Sequence, residues 1–143
     1  MIKVKDRTEA FHKPYSARFV PWTNKLFAVT RWEVTDNYHV THVPSGCRFP
    51  GEFGTQKEAI KHGLFLWNLV GDCNEEDPHK VVAKYKAIGF DSYGSLNTIF
   101  TARSKLDFGP WPKDTHLLVV ADWHTEQHND KQARLFRAVY AAI

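Results

Sequence analysis

The apolar positions change period along the chain. Over residues 26–53 they come in short runs broken by turn residues. L-F-A-V-T-R-W-E-V-T is rich in β-branched and aromatic side chains, which suit a pleated, half-buried surface. Asp36-Asn37 follows, and both residues tolerate positive φ, so a two-residue hairpin turn is expected there. Y-H-V-T-H-V is then the return strand and Pro44-Ser45-Gly46 a second turn. Residues 47–53 form a third, shorter strand, which Pro50-Gly51 forces into a bulge or an edge position.

The period then becomes helical. Thr55 and Glu58 form a capping box, so a helix starts at Gln56. Ile60, Leu64 and Trp67 share one of its faces, and Gly71 stops it. Asp77 followed by Pro78 starts a second helix with the stripe Val81, Val82, Tyr85 and Ile88, ended by Gly89. S-L-N-T-I-F-T-A-R alternates and predicts a strand over residues 96–102. The run L-L-V-V-A predicts a buried strand over residues 116–121. Asn129 with Gln132 caps a last helix, whose stripe is Ala133, Phe136, Val139, Tyr140 and Ile143. The order β-β-β-α-α-β-β-α implies an α+β fold, a largely antiparallel sheet with helices packed mainly on one face.

Composition adds bulk to this picture. The chain has 143 residues, the size of one domain, and it carries ten Phe, five Trp and five Tyr, enough large rings for an aromatic core. Its longest apolar run, residues 64–70, is interrupted by Asn68 and is too short to span a bilayer. The first residues lack the apolar stretch of a signal peptide, and Cys47 and Cys73 are too few for a disulfide framework. A cytoplasmic protein with two free thiols, no membrane contact and no cofactor is expected.

Charge singles out one segment. The net charge is +3, yet residues 1–25 carry Lys3, Lys5, Arg7, Lys13, Arg18 and Lys25 against Asp6 and Glu9, which is +4 and leaves −1 elsewhere. Phe11, Tyr15, Phe19 and Trp22 are interleaved with these cations, and Pro14 and Pro21 keep residues 12–24 extended or irregular. Two readings of this arm are open. It lies along a phosphate backbone or an acidic protein, or its aromatics plug into the core while its charges stay in water. The second arrangement is the commoner one and is the expectation.

The run Gly51-Glu52-Phe53-Gly54-Thr55-Gln56-Lys57-Glu58-Ala59, G-x-F-x-T-x-x-E-A after three short strands, resembles the ethylene-response-type DNA-binding domain and its relatives in phage integrases and homing endonucleases. The resemblance covers residues 26–69 and implies a three-stranded sheet on one helix, with the sheet face toward the DNA. Lys61, His62 and Gly63 depart from the small residues of that family's helix. With Asp36-Asn37 as the turn, Thr35 pairs with Tyr38, Glu33 with Val40 and Arg31 with His42. The face of Leu26, Ala28, Thr30, Trp32, Val34, His39, Thr41 and Val43 is then the core face. The opposite one either offers Arg31, Tyr38, His42 and Arg48 to a nucleic acid, against the repulsion of Glu33 among them, or is an ordinary amphipathic sheet face with a cross-strand polar pair, which is the expectation. In style the chain also resembles small phage-encoded accessory proteins, which bind and redirect host machinery, including restriction and CRISPR complexes.

Phosphate-loop, dinucleotide, nucleophile-elbow and zinc-ribbon motifs are all absent from the chain. His39 and His42, three apart on a strand, point to opposite faces. The densest chemistry is D-W-H-T-E-Q-H-N-D, residues 122–130, with three acids and two histidines. Glu126 is misplaced for a helical zinc site, which needs its acid directly after the first histidine. A loop version leaves Asp122, His124, Glu126 and His128 to act as acid and base or to converge on a divalent ion. Asp107-Phe108-Gly109-Pro110-Trp111-Pro112 holds Trp111 either as an exposed anchor or as a lid on the core.

These observations lead to a small non-enzymatic binding protein, an inhibitor or accessory factor. Its partner is a host protein, a protein–nucleic acid complex, or DNA or RNA, and a homodimer is possible. The contact residues are Lys3, Lys5, Arg7, Lys13, Arg18, Trp22, Arg31, Tyr38, His42, Arg48 and Trp111. The alternative is a small enzyme with its site at residues 122–128.

Overall fold

The computed structural model describes residues 2–5, 10–31, 36–88 and 99–143. The elements run β1 (Val4–Lys5), β2 (Phe11–His12), β3 (Ser16–Phe19), β4 (Phe27–Arg31), β5 (Tyr38–His42), β6 (Cys47–Arg48), α1 (Gln56–Val70), α2 (Pro78–Ala87), α3 (Ile99–Ser104), α4 (Leu117–Glu126) and α5 (Asp130–Ala142). The fold is α+β, with strands in the N-terminal part and helices in the C-terminal part. β3-β4-β5-β6 is an antiparallel sheet in that order, and β1-β2 is a separate two-stranded piece.

Three helix starts form where local hydrogen bonds demand them. The Thr55 hydroxyl accepts from the Glu58 amide, Asp77 from His79, and Asn129 from Gln132. Gly71, at φ 80°, closes α1. α2 ends at Ala87 with Ile88 as its cap, and the expected stop, Gly89, lies outside the described residues.

Two expected strands are helices. Residues 99–102 of the first belong to α3, and its residues 96–98 lie outside the described residues. Residues 117–121 of the second open α4, with the His116 ring accepting from the Leu118 amide as its cap. Leu117, Val120, Ala121 and His124 are spaced i, i+3, i+4, i+7, so the apolar run is the first half of a helical stripe. The stripes of α1 and α5 also differ from expectation. Ile60, Leu64 and Trp67 are only half-buried, while Ala59, His62, Gly63, Phe65, Leu66 and Leu69 are buried. Tyr140 and Ile143 are exposed, and Leu135, Ala138 and Ala142 take their place in the core. α1 is buried on more than one face because it packs on β4 and β5 and also on α5, which in turn carries α4.

The β4–β5 register corrects the expected hairpin. Phe27 faces His42 and Arg31 faces Tyr38, so the connection spans residues 32–37 and not Asp36-Asn37 alone; Thr35, its expected flank, lies outside the described residues. The offset is even, so each face keeps its members. The expected core face is buried, but the face packed against α1 is the other one. Phe27, Val29 and Val40 pack under α1 in the main apolar cluster with Phe49, Phe65, Leu66 and Leu69. Gly63 permits this close approach, since a Cβ there would lie 2.8 Å from a Val20 methyl. Ala28, Thr30, His39 and Thr41 on the opposite face are buried as well, with the Thr30 and Thr41 hydroxyls 3.0 Å apart. Neither face of the central strands is open.

β6 is shorter than expected. After Phe49 donates to the Val40 carbonyl, Pro50-Gly51 bulges outward and pairing resumes at a Tyr38–Phe53 bridge. The N-terminal arm is extended, as the prolines predicted, but it is not irregular. It contributes β1, β2 and the edge strand β3, which pairs along β4 from Ser16–Arg31 to Phe19–Ala28.

Candidate functional site

Residues 122–130 cover the second half of α4 and the turn into α5. His124 lies on the inner stripe of α4 and is buried, whereas Asp122, Glu126 and His128 are exposed. Two residues along a helix is a rotation of about 200°, so Asp122 and Glu126 point away from His124. The structure does not bring the four together. Asp122 and His124 have structural partners instead. His124 Nε2 lies 2.6 Å from the Asp107 carbonyl, and a carbonyl only accepts, so this nitrogen carries the proton and donates. Asp122 and the Thr125 hydroxyl accept from Arg137 on α5. His128 takes φ 58° in the turn, and Asn129 caps α5.

The same contacts fasten the aromatic loop. Gln132 accepts from the Asp107 amide and donates to the Lys105 carbonyl, while Gly109 (φ 55°) sits so close to Trp123 that a Cβ would fall 2.7 Å from its ring. Trp111 is half-buried against Val120, Ala121 and Phe136, so it is a lid on the smaller apolar cluster and not a free anchor. Among the described residues no group of three or more His, Cys, Asp or Glu is placed to hold a metal ion. A cleft of about 770 Å³ between the end of α3, the start of α4 and the end of α5 is lined by Arg103, Lys113, His116, Phe108 and Tyr140 among others; none of Asp122, His124, Glu126 and His128 lines it.

The sheet histidines are structural as well. His42 is fully buried, with Nδ1 2.7 Å from the Ser45 hydroxyl and Nε2 2.6 Å from the Cys73 carbonyl. The carbonyl fixes the Nε2–H tautomer, so Nδ1 accepts from Ser45. That is a nucleophile–base distance, but both residues are buried where no substrate reaches, and burial lowers the His42 pKa. His39 donates to the Gly51 carbonyl and is likewise pushed down by burial. Burial also takes His62, stacked between Phe53 and Phe65, to about 4. Neither Cys47 nor Cys73 is in a disulfide, and both are buried.

The edge of the sheet is different. Phe11, Tyr15, Phe19 and Trp22 are exposed, from 39% at Phe19 to 82% at Trp22, and every residue of β3 is exposed. The expected plugging of these aromatics into the core does not occur: β3 is the last strand of the sheet, and its side chains stay exposed. Residues 10–31 hold Lys13, Arg18, Lys25 and Arg31 and no acid. Lys25 Nζ lies 5.8 Å from the centre of the Phe19 ring and Lys5 Nζ 4.7 Å from that of Phe11. Arg18 reaches Gln56 Oε1 at 3.4 Å.

The turn between β3 and β4 presents Trp22. Pro21 followed by Trp22 at φ 73° has the type II pattern, whose third position favours glycine or asparagine. Asn24 and Lys25, at φ 53° and 61°, form a type I′ turn closed by the Leu26 amide on the Thr23 carbonyl. Positive φ in a residue as bulky as tryptophan is strained, and such strain survives only where the surroundings enforce it. Here they do. Thr23 is buried with its hydroxyl on the Val20 carbonyl, and the Asn24 amide nitrogen donates to both oxygens of Asp72. Trp67 Nε1 also donates to Asp72, and these two donors lower its pKa, Trp67 first.

No family model, curated protein or solved structure matches the chain. The functional reading therefore rests on geometry.

Of the expected contact residues, Lys3, Lys13, Arg18 and Trp22 are exposed, Lys5 is half-buried, and Arg7 lies outside the described residues. Arg31 is held by Asp36 at 2.9 Å, which lifts its pKa, and lies over Tyr38. His42 is buried, while Arg48 is exposed at the opposite edge, on β6. Sequence reading missed Asn24 and Asp72, which set the Trp22 turn. The adjacent pair Asn24-Lys25 was the local signal for the type I′ turn; nothing local tied either residue to Asp72.

Proposed function

We propose that this is a non-enzymatic binding protein that engages a polyanionic macromolecule through the β3 edge and the Trp22 turn. One observation carries the reading: a tryptophan exposed at 82% is held in a strained, left-handed backbone by buried and bidentate hydrogen bonds. An exposed ring on a rigid mount loses little entropy on binding. The acid-free run of cations beside it supplies attraction to negative charge. Nucleic acid, or a host complex that presents it, is the partner class this surface fits, in keeping with an inhibitor or accessory factor.

The test is elution from a polyanionic matrix such as heparin. Wild-type protein is expected to bind at low salt. Lys13→Ala/Arg18→Ala/Lys25→Ala is expected to elute at clearly lower salt, whereas Lys113→Ala, in the distant cleft, elutes with wild type. Equal elution of the triple variant and wild type refutes the proposal.

A further inference from the structure

We infer that the occupant of this surface is single-stranded nucleic acid, with bases stacked on Phe19 and Trp22 and phosphates held by Lys13, Arg18 and Lys25; the inference rests on the polyanion-binding reading above. The β3–β4 register divides the edge chemically. Ser16 and Arg18 share the face of Arg31 and Val29, whereas Ala17 and Phe19 share the face of Thr30 and Ala28. The Arg18 cation and the Phe19 ring thus project to opposite sides of one strand. Lys25 beside the Phe19 ring places a cation where the phosphate next to a stacked base would lie.

A duplex fits less well. Its bases are stacked on one another and offer no face to Phe19 or Trp22. Groove reading by a sheet needs an open sheet face, and residues on both faces of β4 and β5 are buried. Unstacked bases are the ligand that uses exposed rings, since every base has a face to stack, and such binding combines a cationic track with aromatic platforms. An acidic extended peptide could pair with the β3 backbone, but that mode has no use for a strained, outward tryptophan.

Fluorescence anisotropy with labelled oligothymidylate, the same strand annealed to oligoadenylate, and labelled polyglutamate separates these cases. The single strand is expected to bind at least about ten-fold more tightly than the duplex. Trp22→Ala and Phe19→Ala each weaken single-strand binding by about ten-fold, the scale of one lost base–aromatic stack, while Trp22→Phe retains most of it. Both substitutions lie on the exposed edge, and circular dichroism checks that the fold is kept. Equal affinity for single strand and duplex, with Trp22→Ala silent, overturns stacking and leaves the polyanion surface standing. Preferential binding of polyglutamate overturns the nucleic-acid assignment in favour of an acidic protein. Binding of none of the three at low salt overturns both readings.

Discussion

The turn at Trp22 and the stretch Asp122 to Asp130 invert each other's promise. Residues 122–130 have the composition of a site, yet His124, Asp122 and Asn129 are engaged in a staple, a helix–helix contact and a cap. The β3–β4 turn, residues 20–26, carries a single charged residue, Lys25. It nevertheless holds its largest side chain in water at a backbone angle that costs energy. Polar groups engaged with each other have little left for a ligand, whereas exposed apolar surface on a fixed mount is unspent binding capacity. Density of titratable residues is thus a poorer guide than unengaged surface.

Four experiments sharpen or break this contrast. The largest effect should come from His124→Ala. It removes the staple to Asp107 and opens space beside Phe136 and Trp123, at a cost of about 2–4 kcal/mol in denaturant unfolding. Single-strand affinity measured under native conditions should stay unchanged. A loss of affinity without a loss of stability would return residues 122–128 to the functional account.

Acid should separate the two regions next. His62 has a folded-state pKa of about 4, below the value near 6.5 of an exposed histidine. The unfolded chain therefore binds its proton first, so stability falls as pH drops from 6.5 toward 4, by up to about 3 kcal/mol from this group. His39 and His42, lowered by burial, act with the same sign. Urea melts across this range should show the slope, and His62→Phe should flatten it.

Trp22→Gly should raise stability by about 1 kcal/mol, since glycine adopts positive φ without strain, while weakening single-strand binding. A loss of stability would mean that the ring packs in solution and is not a free anchor. Smallest is Asp122→Ala. The Arg137 pair is exposed on both sides, so the change should stay within about 0.5 kcal/mol.

What could be read from sequence follows the range of each interaction. Thr55 with Glu58, Asp77 with Pro78, and Asn129 with Gln132 mark helix starts through hydrogen bonds that span a few residues. They are legible wherever the chain is cut. The run at 117–121 misled because five apolar residues fit a buried strand and a helical stripe alike. Extending the count to His124 would have resolved it, but a histidine does not announce itself as a core residue. The hairpin faces misled because both are buried, and alternation alone cannot rank two inward faces.

By itself the sequence determined the class of the fold, the three capped helices and the existence of a basic, aromatic N-terminal segment, because these depend on neighbours along the chain. Whether that segment's rings turn inward or outward depended on β3 being the last strand of the sheet. Whether Trp22 stands in water depended on Asn24 reaching Asp72 across 48 positions. Partnerships at that distance are set by packing, and only the tertiary structure could decide them.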